Sequence, residues 1–280
     1  MVQRPLVIEA GPYQLDFSQK TYVMGILNVT PDSFSDGGKH NTLDRAIDHA
    51  ARMVAEGADI IDIGGESTRP GFQPISAEEE LERVLPVVEA LATRFDLPLS
   101  IDTYKAKVAK AALEHGAHII NDIWGAKADS QMAQVAAETG APIILMHNRK
   151  EATYQDLIPG MLNDLFESIH LVRQAGVRED KIILDPGIGI GFGKTYEHNV
   201  EIMRQLERFT SLGYPVLLGT SRKSMIGYAL DLPVGERLEG TIATVCQGIS
   251  KGCAVVRVHD VKEHVRAVKM MDLMVGKRSV

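Results

Sequence analysis

Eight short apolar runs recur at fairly even intervals along the chain, and most end in a polar residue suited to ligand contact. Val23–Leu27 leads to Asn28, Ile60–Ile63 to Gly64-Gly65-Glu66, Leu97–Ile101 to Asp102, and Ala117–Ile120 to Asn121-Asp122. Ile143–Met146 is followed by His147, Ile182–Leu184 by Asp185, Val216–Leu218 by Thr220-Ser221-Arg222-Lys223, and Ala254–Val256 by Arg257 and His259. Each run has the length of a strand buried on both faces, and segments of helical periodicity separate them. That alternation predicts an α/β fold, a (β/α)8 TIM barrel. The carboxyl ends of barrel strands converge on one mouth, so the polar termini should share a single pocket.

The intervening segments carry helix punctuation. Leu43–Glu56 stops at Gly57, Tyr104–His115 at Gly116, Gln131–Thr139 at Gly140, and Leu238–Ser250 just before Gly252. Ser76 with Glu79 has capping-box spacing and opens a helix to about Phe95. Leu157–Gln174 ends before Gly176, with Pro159-Gly160 disturbing its start, and Thr195–Leu212 ends at Gly213. Val261–Val275 is the last helix. Ahead of the first strand, Leu6–Glu9 and Gln14–Phe17 flank Ala10-Gly11-Pro12 and predict a short N-terminal β-hairpin within residues 1–20. In a barrel that hairpin would plug the bottom, away from the chemistry.

The chain has 280 residues, close to the ~250 of a typical (β/α)8 barrel, and no linker or composition shift divides it, so a single domain over 1–280 is expected. Net charge is −7, which argues against a general nucleic-acid or anionic-membrane surface but leaves room for a local cationic pocket. No stretch approaches the ~20 apolar residues of a membrane span. Two cysteines, Cys246 and Cys253, make no disulfide framework, and a cytoplasmic location is expected.

Two nucleotide motifs fail. In Gly187–Thr195 the position five before Gly193-Lys194-Thr195 is Ile188, where a P-loop needs glycine, and neither register of G-x-G-x-x-G closes. Gly219-Thr220-Ser221-Arg222 lacks the second glycine of a nucleophile elbow. Two connections are richer than turns require: Asn28–Gly38 and Gly64–Phe72. Both read as mobile loops at the catalytic face.

Two sets of polar residues remain. Arg69, Lys223, Arg257 and His259, with hydroxyls at Thr68, Ser221 and Ser224, suit a phosphate or pyrophosphate group. Each cation also has a plain structural role available: Lys223 at a helix start, Arg257 paired with Asp260. Asp102, Asn121 and Asp185 would lie deep in the mouth, where buried acceptors call for a ligand with several N–H donors, such as a 2-amino-4-oxo heterocycle. The alternatives are a helix cap at Asp102, or pairing of each aspartate with a barrel lysine or arginine. Met146 and Phe192 would supply apolar walls. Asn28 would join a bound diphosphate in holding Mg²⁺.

Asn28–Gly38, Gly64–Gly71, Gly219–Ser224 and Arg257–Asp260 together resemble the signature segments of the dihydropteroate synthases, a pterin-binding barrel family, in order and along nearly the full chain. The resemblance implies a transferase that joins 6-hydroxymethyl-7,8-dihydropterin diphosphate to p-aminobenzoate and releases pyrophosphate. It implies pterin contacts from Asp102, Asn121, Asp185 and Lys223, diphosphate contacts from Thr68, Arg69, Arg257 and His259, and Mg²⁺ at Asn28. Ser224 and the two long loops would frame the aminobenzoate, and Asp36 would favour a cationic pterin. A homodimer through the later helices is also implied. A folate methyltransferase would use the same acidic set but leaves the first loop, Arg69, Arg257 and His259 without a purpose. Segments 147–155 and 187–195 depart from the family pattern, so their contacts stay open.

Overall fold

The computed structural model describes residues 6–30, 39–66 and 73–277. Strands β3 (Tyr22–Asn28), β4 (Ile60–Gly64), β5 (Leu99–Asp102), β6 (Ile119–Asp122), β7 (Ile143–Met146), β8 (Ile182–Asp185), β9 (Leu217–Leu218) and β10 (Val255–Val258) form one parallel sheet, with β3 paired to both β4 and β10. A bridge between Leu184 and Val216, with the Leu184 N–H donating to the Pro215 carbonyl at 2.9 Å, joins β8 to the β9 side and brings the sheet round into a barrel. Helices α1 (Lys39–Ala55), α2 (Ala77–Arg94), α3 (Ala106–Glu114), α4 (Met132–Thr139) and α5 (Leu157–Gln174) follow successive strands. They continue as α6 (Tyr196–Arg204), α7 (Glu207–Thr210), α8 (Ser224–Leu230), α9 (Leu238–Ser250) and α10 (Val261–Met274).

Side-chain alternation sorts every strand into two faces. Val23, Leu27, Ile61, Ile63, Leu99, Ile101, Val256 and Val258 pack outward against the helices, together with Val84, Val88 and Leu91 of α2. Tyr22, Met24, Ile60, Ile119, Ile144, Ile183, Leu217 and Val255 fill the lower interior. Each such buried aliphatic side chain stabilises the fold by about 1.5–3 kcal/mol. The hairpin β1 (Val7–Ala10) and β2 (Tyr13–Asp16) packs Ile8, Ala10, Leu15 and Phe17 onto this same cluster. It plugs the bottom, as its sequence predicts.

Two helices differ from their sequence periodicity. The segment 195–212 is not one helix: α6 ends at Arg204, and α7 starts afresh at Glu207. Pro159 does not disturb α5, because it falls in the first turn, where backbone N–H groups have no helical partner to lose. Ser76 caps α2 as expected, accepting the Glu79 N–H at 3.1 Å.

Candidate active site

Period-two alternation places the site. Moving up the interior, the residues above the apolar plug are Asn28 on β3, Asp62 on β4, Asp102 on β5, Asn121 on β6, Met146 on β7, Asp185 on β8 and Arg257 on β10. Strand register aligns Gly64 with Asn28 and Asp102, and Asp102 with Asn121. Asp122, one residue on, faces the other way and closes a turn by accepting the Trp124 and Ala126 N–H groups, each at 2.8 Å.

The acidic and cationic sets are one network rather than two. Arg257 donates from Nε to Asp62 Oδ2 and from Nη2 to Asp102 Oδ2, both at 2.6 Å. Asp62 Oδ2 also accepts Asn121 Nδ2 at 3.0 Å. The pairing of Asp102 with a barrel arginine is therefore realised. That of Arg257 with Asp260 is not, since the partner of Asp260 is Arg222. Nor does Asp102 cap α3, whose N-cap position is Lys105.

Burial pushes the Asp102 carboxyl up to about 7 against the pull of Arg257. Burial would lower Arg257, but the charges of Asp62 and Asp102 outweigh it and hold the guanidinium protonated. Burial also lowers the Lys223 ammonium to about 8 and raises Asp185, each opposed by the other's charge. Lys223 donates to the Ile188 carbonyl and lies 5.5 Å from the centre of the Phe192 ring. Asp185 Oδ1 accepts the Gly187 N–H at 2.7 Å. Met146 is buried beside Gly187, so the two expected apolar walls flank the Asp185 loop.

His259 is held by Ser221, whose Oγ accepts the His259 backbone N–H at 3.1 Å and meets ring Nδ1 at 3.0 Å. Between Ser221 and Lys223, Arg222 takes a left-handed backbone with φ of 57°. For a non-glycine residue this conformation costs about 1–2 kcal/mol. Its guanidinium forks onto Asp260, its N–H reaches Thr241 Oγ1 at 3.1 Å, and its carbonyl accepts Arg237 Nη1 at 3.0 Å. Those bonds hold the turn that directs Lys223 and Ser221 to the mouth, with Ser224 opening α8 beside them.

The two departing segments prove to be joined. The Arg149 N–H donates to the Phe192 carbonyl at 3.4 Å, and Tyr154 OH to the Gly193 carbonyl at 2.8 Å. Buried Lys194 donates to the carbonyls of His147 at 3.0 Å and Phe192 at 2.9 Å. Behind them, Asp164 accepts His147 Nε2 at 2.8 Å and Arg149 Nε at 2.6 Å. At the second long loop, Glu66 accepts the Ile75 N–H at 3.2 Å, Tyr104 OH at 2.8 Å and Lys105 Nζ at 2.5 Å, tying residues 66 and 75 together.

Asp36, Thr68 and Arg69 lie outside the described residues. The site residues that sequence patterning passed over are Asp62 and the Lys194 latch. Asp62 had a signal: it is the one charged residue inside the apolar run of β4, and alternation turns it inward. Lys194 had none, because its partners are carbonyls of two different loops.

A barrel whose strand ends present buried acceptors beside fixed cations defines an enzyme class that binds a small, donor-rich, anionic ligand. Residues 24–259 match the pterin binding enzyme family. The Bacillus subtilis dihydropteroate synthase is 59% identical over 279 residues, spanning 100% of this chain and 97% of the relative. A Clostridium difficile dihydropteroate synthase crystallised in the presence of pteroic acid superimposes with a TM-score of 0.91 at 50% identity, covering 93% of this chain and 98% of that one. The Xanthomonas albilineans dihydropteroate synthase solved with 4-aminobenzoic acid gives 0.91 at 39% identity, over 97% and 99% of the two chains. The chain belongs to the dihydropteroate synthase family of transferases.

Proposed function

We propose that the chain, acting as one domain, condenses 6-hydroxymethyl-7,8-dihydropterin diphosphate with p-aminobenzoate to give 7,8-dihydropteroate and pyrophosphate. The observation that carries this is the meeting of Asp102, Asn121 and Asp185 with Arg257, Lys223 and His259 at one barrel mouth, in a chain of this family. Asp102, Asn121 and Asp185 accept N–H groups of the pterin ring, and Lys223 lies against the ring beside Asp185. Arg257 and His259 receive the diphosphate, with Thr68 and Arg69 added on the strength of the family resemblance. Ser224 frames the aminobenzoate.

The chemistry follows from charge. The bond from the exocyclic methylene to the diphosphate oxygen breaks with its electron pair leaving on pyrophosphate, and the electron-rich dihydropterin delocalises the cation that remains. Arg257 and His259 offset the negative charge gathering on the leaving group. The lone pair of the arylamine nitrogen then forms the new C–N bond, and its proton passes to water. Asp36 favours the cationic ring electrostatically.

Mg²⁺ fits this site through Asn28. A Cβ built on Gly64 would lie 3.8 Å from Asn28 Oδ1 and 3.6 Å from Asp102 Oδ2, and since Asp102 Oδ2 already accepts Arg257 Nη2, Asn28 Oδ1 is the protein oxygen offered to the ion. Among the described residues no cluster of three or more His, Cys, Asp or Glu could hold an ion, so diphosphate and water would supply the remaining ligands. When bound, the ion neutralises charge on the diphosphate. Asn28→Ala should raise the Mg²⁺ concentration needed for half-maximal turnover by about tenfold, the worth of about 1.4 kcal/mol. An unchanged Mg²⁺ dependence would remove Asn28 from this role.

We also propose a cytoplasmic homodimer. Among the described residues no helix is long and apolar enough to cross a membrane. Large exposed apolar side chains gather on the later helices, at Tyr228 and Leu230 of α8 and Met270, Leu273 and Met274 of α10. Light scattering at monomer mass would end the dimer proposal. The activity is tested by pyrophosphate release: it should require the pterin diphosphate, p-aminobenzoate and Mg²⁺ together, and release without arylamine would make the chain a hydrolase instead.

A further inference from the structure

We propose that Asp62, which touches no substrate in the reaction above, is the positioning residue that makes the pocket an acceptor for the pterin ring. It is fully buried on the inner face of β4, level in the barrel register with Ile26 of β3 and Ser100 of β5. Its Oδ2 accepts two donors, Asn121 Nδ2 at 3.0 Å and Arg257 Nε at 2.6 Å. Its Oδ1 meets no hydrogen-bond donor among the described residues.

The polarity of this contact follows from chemistry alone. Asp62 faces the Arg257 guanidinium as its counter-charge. An ionised carboxylate only accepts, so the side of the Asn121 amide that meets it must be the NH₂ group. The amide oxygen is thereby turned away from Asp62, toward the pocket that Asp102 and Asp185 border. Without Asp62 the amide is free to rotate and present either end. With it, Asn121 joins the two aspartates as a third fixed acceptor, matched to a ring edge that carries N–H groups. Arg257 contributes by keeping the buried Asp62 charge compensated.

The inference rests on the pterin assignment, and the test separates the two. Affinity for 6-hydroxymethyl-7,8-dihydropterin, which has no diphosphate and so reads the ring contacts, is measured by calorimetry. Asp62→Ala should weaken it at least tenfold. Asp62→Asn, whose carbonyl still accepts from Asn121 and whose amide points where Oδ1 had no donor, should bind within about threefold of the native chain. In an Asn121→Ala background, Asp62→Ala should cost less than threefold more. In the native protein the Asn121 side-chain NH₂ should show one exchange-protected proton by NMR without any ligand, a measurement that needs no variant of Asp62. Equal losses in both backgrounds, or an unprotected Asn121 amide, would overturn the role of Asp62. A native protein that fails to bind the pterin alcohol would overturn the pterin assignment itself, whatever the amide shows.

Discussion

Gly187 is the position where one methyl group should do the most damage to the site. Its φ is +68°, and a Cβ there would press into the carbonyl oxygen of His147, 3.1 Å from Met146 Cγ and 3.2 Å from Lys194 Nζ. The same carbonyl accepts Lys194 Nζ, and the Gly187 N–H donates to Asp185 Oδ1 at 2.7 Å. Gly187→Ala therefore carries two costs. The left-handed backbone costs an alanine about 1–2 kcal/mol. Relieving the collision means moving the backbone, which gives up a hydrogen bond to a carboxylate worth about 1.5–3 kcal/mol. The sum is roughly 2.5–5 kcal/mol. Gly140 supplies the control, with φ of +67° and nothing within 4 Å of its added Cβ. Gly140→Ala should cost only the backbone part, about 1–2 kcal/mol. Denaturant unfolding of both variants measures the difference, and calorimetry with the pterin alcohol should show a loss of ten- to a hundredfold in Gly187→Ala only. Two variants within 1 kcal/mol of each other, both binding normally, would refute the steric argument.

Two pH effects follow from the buried groups. His147 is held neutral, its pKa lowered to about 4 by burial against the opposing hydrogen bond that its Nε2 makes to Asp164. Because the folded value lies below the unfolded ~6.5, its contribution is intact above that pH and is lost as pH falls toward about 4, about 3 kcal/mol in all. Asp102 and Asp122, raised to about 7 and about 6, act in the opposite sense over the same range. The test is therefore the difference between His147→Gln and the native protein: the variant should gain relative stability between pH 6.5 and 4. A pH-independent difference would refute it. Ring binding should strengthen as pH rises toward and through about 7, where Asp102 becomes the ionised acceptor that the pterin N–H groups need. Titration of pterin-alcohol affinity from pH 5 to 8 reads this directly, and Asp102→Asn should flatten the slope.

What the chain determined on its own was the periodicity: apolar runs of strand length, helical segments between them, and polar residues at the run ends. Those patterns are local, which is why the barrel, the bottom plug, the Ser76 cap and the position of Asn28, Asp102, Asn121, Asp185, Lys223 and Arg257 at or just beyond strand ends were legible from residue order. The partners of those residues were not. Arg257 reaches two carboxylates on strands far away in sequence, so whether it meets Asp260, Asp62 or Asp102 depends on barrel closure and strand register. The 147–155 and 187–195 segments became interpretable only when Lys194, Tyr154 and the Arg149 N–H were found bonded to carbonyls, groups that every residue possesses and that no pattern can single out. Tertiary structure also decided the meaning of Asp62. A lone aspartate in an apolar run costs free energy on burial, and only the cation and amide brought to it by closing the barrel turn that cost into orientation.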